Sequence, residues 1–382
     1  MIYLDNAATT APKPLSVIRT VETALRRYSA NPGRSGHTPS VHTAHEIYRS
    51  RRAAAEFFGL EHEENVIFTA NCTTALNTVI KGVLKKGDHV IISSMEHNAV
   101  LRPLENLRLS GTITYTVAEV GEDDDQTVDA FRSAFNSHTR LMICTHASNV
   151  FGTILPVRRL CALAHSNGVL FCLDAAQSAG VMPINMAEDG FDYLCCAGHK
   201  SLYGPMGTGL LLVNNDQIPA TLTEGGTGSE SANAVMPSYL PDRLESGTQN
   251  VPGILGLAAG MDFVRSKGIE QIYRQEISHI RYLYDGLRNV KGVHVYSPLS
   301  QERPSAPVLS LSVDSADSET VASYLNNRYG IAVRAGLHCA PLAHRHMGTL
   351  DGGTVRVSPS VFTRRQDMQI FLNAMNKFVH LS

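Results

Sequence analysis

Val169-Leu170-Phe171-Cys172-Leu173-Asp174-Ala175-Ala176-Gln177 is an apolar run that ends in an acid, and Cys196-Ala197-Gly198-His199-Lys200 follows it. A run without polar alternation reads as a strand buried on both faces, the mark of a parallel sheet covered by helices. On either side the same alternation continues. Strands are expected at 65–69, 89–93, 141–147, 169–174, 193–196 and 209–213, with helices at 41–58, 73–84, 128–135 and 157–166 between them. This is a doubly wound α/β pattern. From 252 to 289 it gives way to one long helical stretch interrupted at Gly268. Strands at 308–313, 331–334 and 354–357 with helices at 318–328 and 364–378 then predict a smaller α+β C-terminal domain. The acidic run Glu122-Asp123-Asp124-Asp125 reads as a solvated loop.

With 382 residues the chain is too long for a single core, since cores stop growing near about 250–300 residues. The expected division is a large domain over 15–262 and a small one built from 1–14 and 263–382. A net charge of −2 with interspersed signs leaves no footprint for nucleic acid or an anionic membrane. The N-terminal residues lack a basic lead followed by an apolar stretch, so a cytoplasmic protein is expected. Six of the seven cysteines sit in apolar company and read as buried thiols, not a disulfide framework.

An acid ending one buried strand and a lysine ending the next fit an aldehyde cofactor whose ring nitrogen must stay protonated, pyridoxal 5'-phosphate. Asp174 is the candidate for the ring nitrogen, Gln177 for the ring hydroxyl. Lys200 is the candidate for covalent attachment and for moving the substrate α-proton. Asn71-Cys72-Thr73-Thr74 opens a helix, where backbone N–H groups with the Thr73 and Thr74 hydroxyls suit a phosphate. His199 is placed as a further phosphate ligand and His97 as a ring-stacking imidazole. Each has a plain structural alternative: Asp174 and Asn71 as helix caps, His97 and His199 as ordinary loop histidines.

Taken together, Leu4-Asp5-Asn6-Ala7-Ala8, His97-Asn98-Ala99-Val100, Ser148-Asn149-Val150-Phe151-Gly152-Thr153, Asp174-Ala175-Ala176-Gln177, Gly198-His199-Lys200 and Glu245-Ser246-Gly247-Thr248 resemble the class V aminotransferase superfamily. Within it the resemblance is to the cysteine desulfurases and selenocysteine lyases, and it covers essentially the whole chain. It implies the fold type I architecture of pyridoxal phosphate enzymes, with a mostly parallel seven-stranded sheet, helices on both faces and a small C-terminal domain. It further implies that His97 serves in catalysis and stacks on the ring, that Asn149 lies near ring hydroxyl and substrate, and that Asn6, His37 and Arg356 contact the substrate. Arg356 would take its carboxylate through paired charge-assisted hydrogen bonds. Thr248 would reach the phosphate of a partner subunit, which implies a homodimer with shared sites. Ala197 stands where the family usually has serine, so one phosphate contact is expected to be missing. The segment from Gly226 to Arg243 also departs from the commonest desulfurases.

Arg334-Ala335-Gly336-Leu337-His338-Cys339-Ala340-Pro341 places the seventh cysteine on a loop after a short strand. The string resembles the loop of the second desulfurase group, and this implies that Cys339 attacks the sulfur of L-cysteine and passes it to an acceptor protein. His338 and Arg334 are expected to favour the thiolate, the nucleophilic form. The alternatives are a selenocysteine lyase acting on L-selenocysteine, another class V transaminase or lyase, and, from a different class, a zinc-binding module using His338, Cys339, His344 and His346.

Overall fold

The computed structural model describes residues 1–33, 36–301 and 303–381; Arg34 and Ser35, in the string around His37, lie outside the described residues. In chain order come β1 (Ile2–Tyr3), α1 (Leu15–Arg27), α2 (Thr38–Phe58), β2 (Val66–Thr69), α3 (Cys72–Val83), β3 (His89–Ser93), α4 (Asn98–Leu109), β4 (Thr114–Ala118), α5 (Asp124–Ser133) and β5 (Thr139–Thr145). α6 (Val157–Ser166), β6 (Leu170–Asp174), the one-turn α7 (Met186–Asp189), β7 (Tyr193–Ala197) and β8 (Gly209–Val213) follow. The remainder is α8 (Val251–Lys267), α9 (Ile269–Leu287), β9 (Val293–Tyr296), β10 (Leu309–Val313), α10 (Ser318–Tyr329), β11 (Ile331–Ala332), α11 (Pro341–His346), β12 (Val355–Val357) and α12 (Arg365–Leu381).

Seven strands form one sheet in the order β2-β8-β7-β6-β5-β3-β4, in which β8 alone runs antiparallel to its neighbours. Successive side chains of a strand face opposite sides, and in β6 Phe171 and Leu173 enter one apolar layer while Leu170 and Cys172 enter the other. Both layers are dry, which explains why the central strands carry no polar alternation. β4 lies at the edge, and its exposed Thr114 and Thr116 alternate with more buried neighbours. A second sheet, antiparallel β12-β10-β9, shares a separate core with α9, α10 and α12. β1 pairs in parallel with β11, so the first residues of the chain lie against its last quarter. Among the described residues no helix is long and apolar enough to cross a membrane.

Three expectations change. The acidic run is not a loop: Asp123 caps α5 by accepting from Gln126 N, and Asp124 and Asp125 occupy the first turn, where the helix dipole favours negative charge. The stretch after 252 is two helices, because Gly268 takes φ +82°, a conformation that breaks helical geometry. The strand expected at 331–334 keeps only Ile331–Ala332, with Arg334 returning as an isolated bridge to Arg356. α1, α4, β4 and β9 were not anticipated; α4 carries Pro103 in its interior, which disguises its period.

Candidate active site

The parallel strands end on one side of the large sheet, where ligand crevices of open α/β sheets form. β3 leads to His97, β5 to Asn149, β6 ends at Asp174, and β7 leads through Gly198-His199 to Lys200. These residues line one cavity of about 210 Å³ together with Thr73, Gln177, Arg334, His338 and Arg356. Residues far apart in sequence thus converge because consecutive strands finish at the same level.

Burial sets the charge states here. Lys200 is held below the ordinary lysine range, first by desolvation and then by Arg356 and Arg334, against the opposing pull of Asp174. Asp174 is buried, accepts from Ala176 N at 2.9 Å and faces Cys72 Sγ at 3.6 Å. Desolvation pushes its carboxyl up, with Ala176 N–H and Lys200 resisting. His97 caps α4 through Nδ1, which accepts from Ala99 N at 3.0 Å, and desolvation with the nearby Lys200 lowers it to about 4. His199 is lowered to about 4 by the same two causes and by Lys13, and its Nδ1 is buried without a partner. Both imidazoles are therefore neutral near pH 7. Glu96, next to His97 in the chain, is fully buried; its Oε1 accepts from Ser93 Oγ and from Thr145 N at 2.8 Å while Oε2 has no partner. Desolvation raises it to about 8, so Glu96 is a neutral acid tying β3 to β5.

Arg356, on the central strand's neighbour β12, is 1 % exposed. Its Nη2 donates to Asp5 Oδ1 at 2.7 Å and its Nη1 to Asn149 O at 2.9 Å, while Nε is buried without a partner. Asp5 is brought there by the first turn of the chain. Asn6 fastens this turn, donating from Nδ2 to Ser358 O at 2.9 Å and accepting from Ala11 N at 3.2 Å. Asn6 is thus buried and does not line the cavity. Farther along, Thr9 Oγ1 and Lys13 Nζ both donate to His199 O, and Thr10 Oγ1 donates to Lys200 O. Residues 5–13 therefore grip Arg356 at one end and the Lys200 turn at the other. Burial lowers Lys13 to about 8. Gln177 donates to Ala7 O at 3.0 Å, joining the same segment.

Cys339 is the one exposed cysteine of the seven. Its loop is unusually constrained: His338 and Cys339 both take positive φ, +48° and +58°, a conformation that costs about 1–3 kcal/mol for a non-glycine residue. Two donors hold it there, one in the loop after β5 and one at the start of α4: Asn149 Nδ2 to His338 O at 2.8 Å and Asn98 N to Cys339 O at 2.7 Å. Gly353 packs against Gly336 so closely that a Cβ would stand 2.7 Å from its backbone. The guanidinium of Arg334 reaches to 4.0 Å of Cys339 Sγ. The expectation for His338 needs correcting. It is buried with Nε2 3.0 Å from Thr354 O, and desolvation with Arg356 lowers it to about 2, so it contributes no positive charge to the thiol. Nor do the four residues of the zinc reading converge: His344 Nδ1 meets Thr349 Oγ1 and His346 Nδ1 meets Glu119, and among the described residues no group of three His, Cys, Asp or Glu forms a metal cluster.

Three further candidates lie elsewhere. Thr74 directs both its N–H and its hydroxyl to Asn71 Oδ1 as part of the α3 cap, and it lines a neighbouring cavity of about 300 Å³ with Thr248. The turn carrying Thr248 is anchored by a buried ion pair, Arg51 Nη2 to Glu245 Oε2 at 2.7 Å, with Phe68 N donating to Glu245 at 2.6 Å. His37 is exposed and caps α2, accepting from Ser40 N. Conversely Asp5, Glu96 and Lys13 were not anticipated. Asp5 stood inside a quoted motif, but an acid paired with an arginine 351 positions away leaves no local signal.

The family model described as Aminotransferase class-V matches residues 2–371. The chain belongs to this class, the fold type I architecture, and within it to the cysteine desulfurase family. It is 32% identical over 377 residues to a probable cysteine desulfurase of Methanothermobacter thermautotrophicus, covering 97% of this chain and 92% of that one. A cysteine desulfurase of Klebsiella pneumoniae is 33% identical over 356 residues, covering 91% and 86%. Among solved structures, the apo cysteine desulfurase of Thermococcus onnurineus NA1 is similar with a TM-score of 0.92 and 30% identity, covering 100% of this chain and 95% of that one.

Proposed function

We propose that the protein is a pyridoxal phosphate-dependent cysteine desulfurase that converts L-cysteine to L-alanine and leaves the sulfur on Cys339. The observation that carries this reading is an exposed cysteine, held by donors from the start of α4 and the loop after β5, directly following His338, which lines the cavity with Lys200, Asp174 and Arg356. The residues fit the cofactor. Asp174 is a buried acid whose burial favours sharing a proton, and His199 offers an unpartnered buried Nδ1. The exposed start of α3 offers N–H groups and the Thr73 hydroxyl for phosphate. Lys200 would hold the group covalently, with His97 and Gln177 against its ring. Bound there, it supplies an electron sink for a carbanion at the substrate α-carbon.

The protein's own residues account for the rest. Arg356 takes the substrate carboxylate. Lys200, with a depressed basicity, receives the α-proton and later returns one. Cys339 attacks the substrate sulfur: an S–S bond forms as the Cβ–S bond breaks, the electron pair stays with the carbon skeleton, and protonation completes alanine. Arg334 places its guanidinium 4.0 Å from the attacking Sγ. An acceptor must then take the persulfide sulfur. We assign Thr248, exposed on its anchored turn, to the site of a second copy in a homodimer; its test is a solution mass twice the 41.5 kDa of the chain. The domain division at 14/15 and 262/263 remains part of this proposal: a separate apolar cluster joins Leu4 to α9, β10 and α12, while α8 runs unbroken across 262/263 and Val264 packs with Tyr203.

The decisive experiment incubates the cofactor-loaded protein with L-cysteine and, separately, L-selenocysteine, and quantifies alanine and protein-bound sulfur. Cys339→Ala is expected to keep the cofactor absorbance, lose bound sulfur and lose most alanine release from L-cysteine. Undiminished turnover of L-cysteine in that variant would overturn the nucleophile assignment and favour a lyase. Lys200→Ala is expected to abolish borohydride trapping of the cofactor on the chain.

A further inference from the structure

Arg356 is a guanidinium with an unsettled edge. Of its five N–H donors, one on Nη2 goes to Asp5 at 2.7 Å and one on Nη1 to Asn149 O at 2.9 Å, while Nε is buried and has no partner. A buried polar group without a partner carries a desolvation penalty, and beside a cavity it marks where a ligand atom belongs. Desolvation also works against the charge of Arg356, and Asp5 is the main influence that opposes it. Asp5 is itself fixed: its backbone bridges Ser358, one residue beyond β12, and its carbonyl accepts from Tyr3 OH. The acid thus has little freedom to follow the guanidinium elsewhere.

We propose that Asp5 is the positioning residue for α-carboxylate recognition: by holding Arg356 from the side of the N-terminal turn, it fixes the guanidinium in the cavity wall, with Nε still unpaired, for an anionic group on the bound amino acid. This deepens the desulfurase reading and rests on it, in that the carboxylate it concerns is that of the amino acid substrate or product. Asp5 touches Arg356, not the reacting atoms, so its loss acts on binding and on discrimination between carboxylate and neutral ligands. A plain electrostatic view makes the opposite forecast, because removing a negative charge next to Arg356 would strengthen its attraction for any anion.

The test compares wild type and Asp5→Asn, both cofactor-loaded, by titrating the visible spectrum with L-alanine and with L-alaninamide, which differ only in the carboxylate. Asp5→Asn is expected to weaken L-alanine by about tenfold while leaving L-alaninamide unchanged, because a neutral amide replaces the carboxylate that holds the guanidinium in place. The KM for L-cysteine is expected to rise with kcat retained. Retained absorbance of the cofactor on Lys200 and an unaltered thermal midpoint serve as the folding control. Should the variant fold poorly, Asp5→Glu with the same ligand pair takes its place, since a longer acid displaces the fork without removing the charge. Unchanged or tighter L-alanine binding, or equal weakening of both ligands, would overturn the proposal. A wild-type protein whose spectrum responds to neither ligand would instead overturn the amino acid site itself.

Discussion

Glu96 offers a prediction whose sign follows from burial alone. Its carboxyl lies near 8 in the folded protein against an ordinary value of 4.5, chiefly because no water reaches it. Between these values the unfolded chain has released the proton and the native state has kept it, so unfolding releases a proton and stability falls as pH rises. The contribution is complete below the unfolded value and is lost progressively up to the folded one. At 1.36 kcal/mol per pK unit, the loss between about pH 6.5 and pH 8 is about 1.5 kcal/mol. Glu96→Gln removes the titration and keeps an oxygen for Ser93 and Thr145, but it puts an amide where Oε2 has no partner. That substitution costs about 1–3 kcal/mol where Glu96 is protonated in both the folded and unfolded chain, and the difference shrinks as pH rises. The variant is therefore less stable at low pH and shallower in its pH dependence. Urea unfolding of both proteins at several pH values measures the slopes, and Glu276, raised to about 8 by burial beside Tyr203, titrates equally in both and cancels. Parallel slopes for wild type and variant would refute the assignment of Glu96 as a neutral acid.

Three other outcomes follow from contacts already described. Asn149→Ala removes the donor to His338 O and releases a loop held in strained geometry, so Cys339 should react with iodoacetamide faster, by up to about tenfold for a buried hydrogen bond of about 1–1.5 kcal/mol. In the folded wild type a single thiol should react promptly and all seven after denaturation, counted by mass spectrometry, because six cysteines are buried. Glu245→Ala leaves Arg51 uncompensated at 7 % side-chain exposure and strips Phe68 N of its acceptor, with an expected loss of about 3–5 kcal/mol in chemical unfolding.

Strand ends were the most legible part of this chain. Asp174, Lys200, His97 and Asn149 each follow a buried strand, and parallel strands that finish together must bring such residues into one crevice. Cys339 was legible for a different reason, its polar and glycine-flanked loop setting. What escaped reading depends on pairings across most of the chain. Nothing near Asp5 announces Arg356, and nothing near Glu96 announces Thr145 N, so burial and partner had to be seen together. Asn6 shows the converse error: a polar residue in a functional motif whose amide turns out to fasten a turn. His338 shows another, since adjacency to the thiol in sequence says nothing about which way the ring faces. β4 and α4 were hidden by local chemistry, edge-strand polarity in one and an internal proline in the other.

The parallel pairing of β1 with β11 bears on how the molecule is made. During synthesis the first residues leave the ribosome long before Ile331, Arg356 and Ser358 exist to receive them. The sheet from β2 to β8 can collapse in the meantime, but Asp5 has no guanidinium to meet until β12 emerges. Completion of the catalytic crevice is therefore a late event, timed by translation of the last stretch, and a nascent chain stalled before β12 would carry a formed sheet with an unfinished crevice.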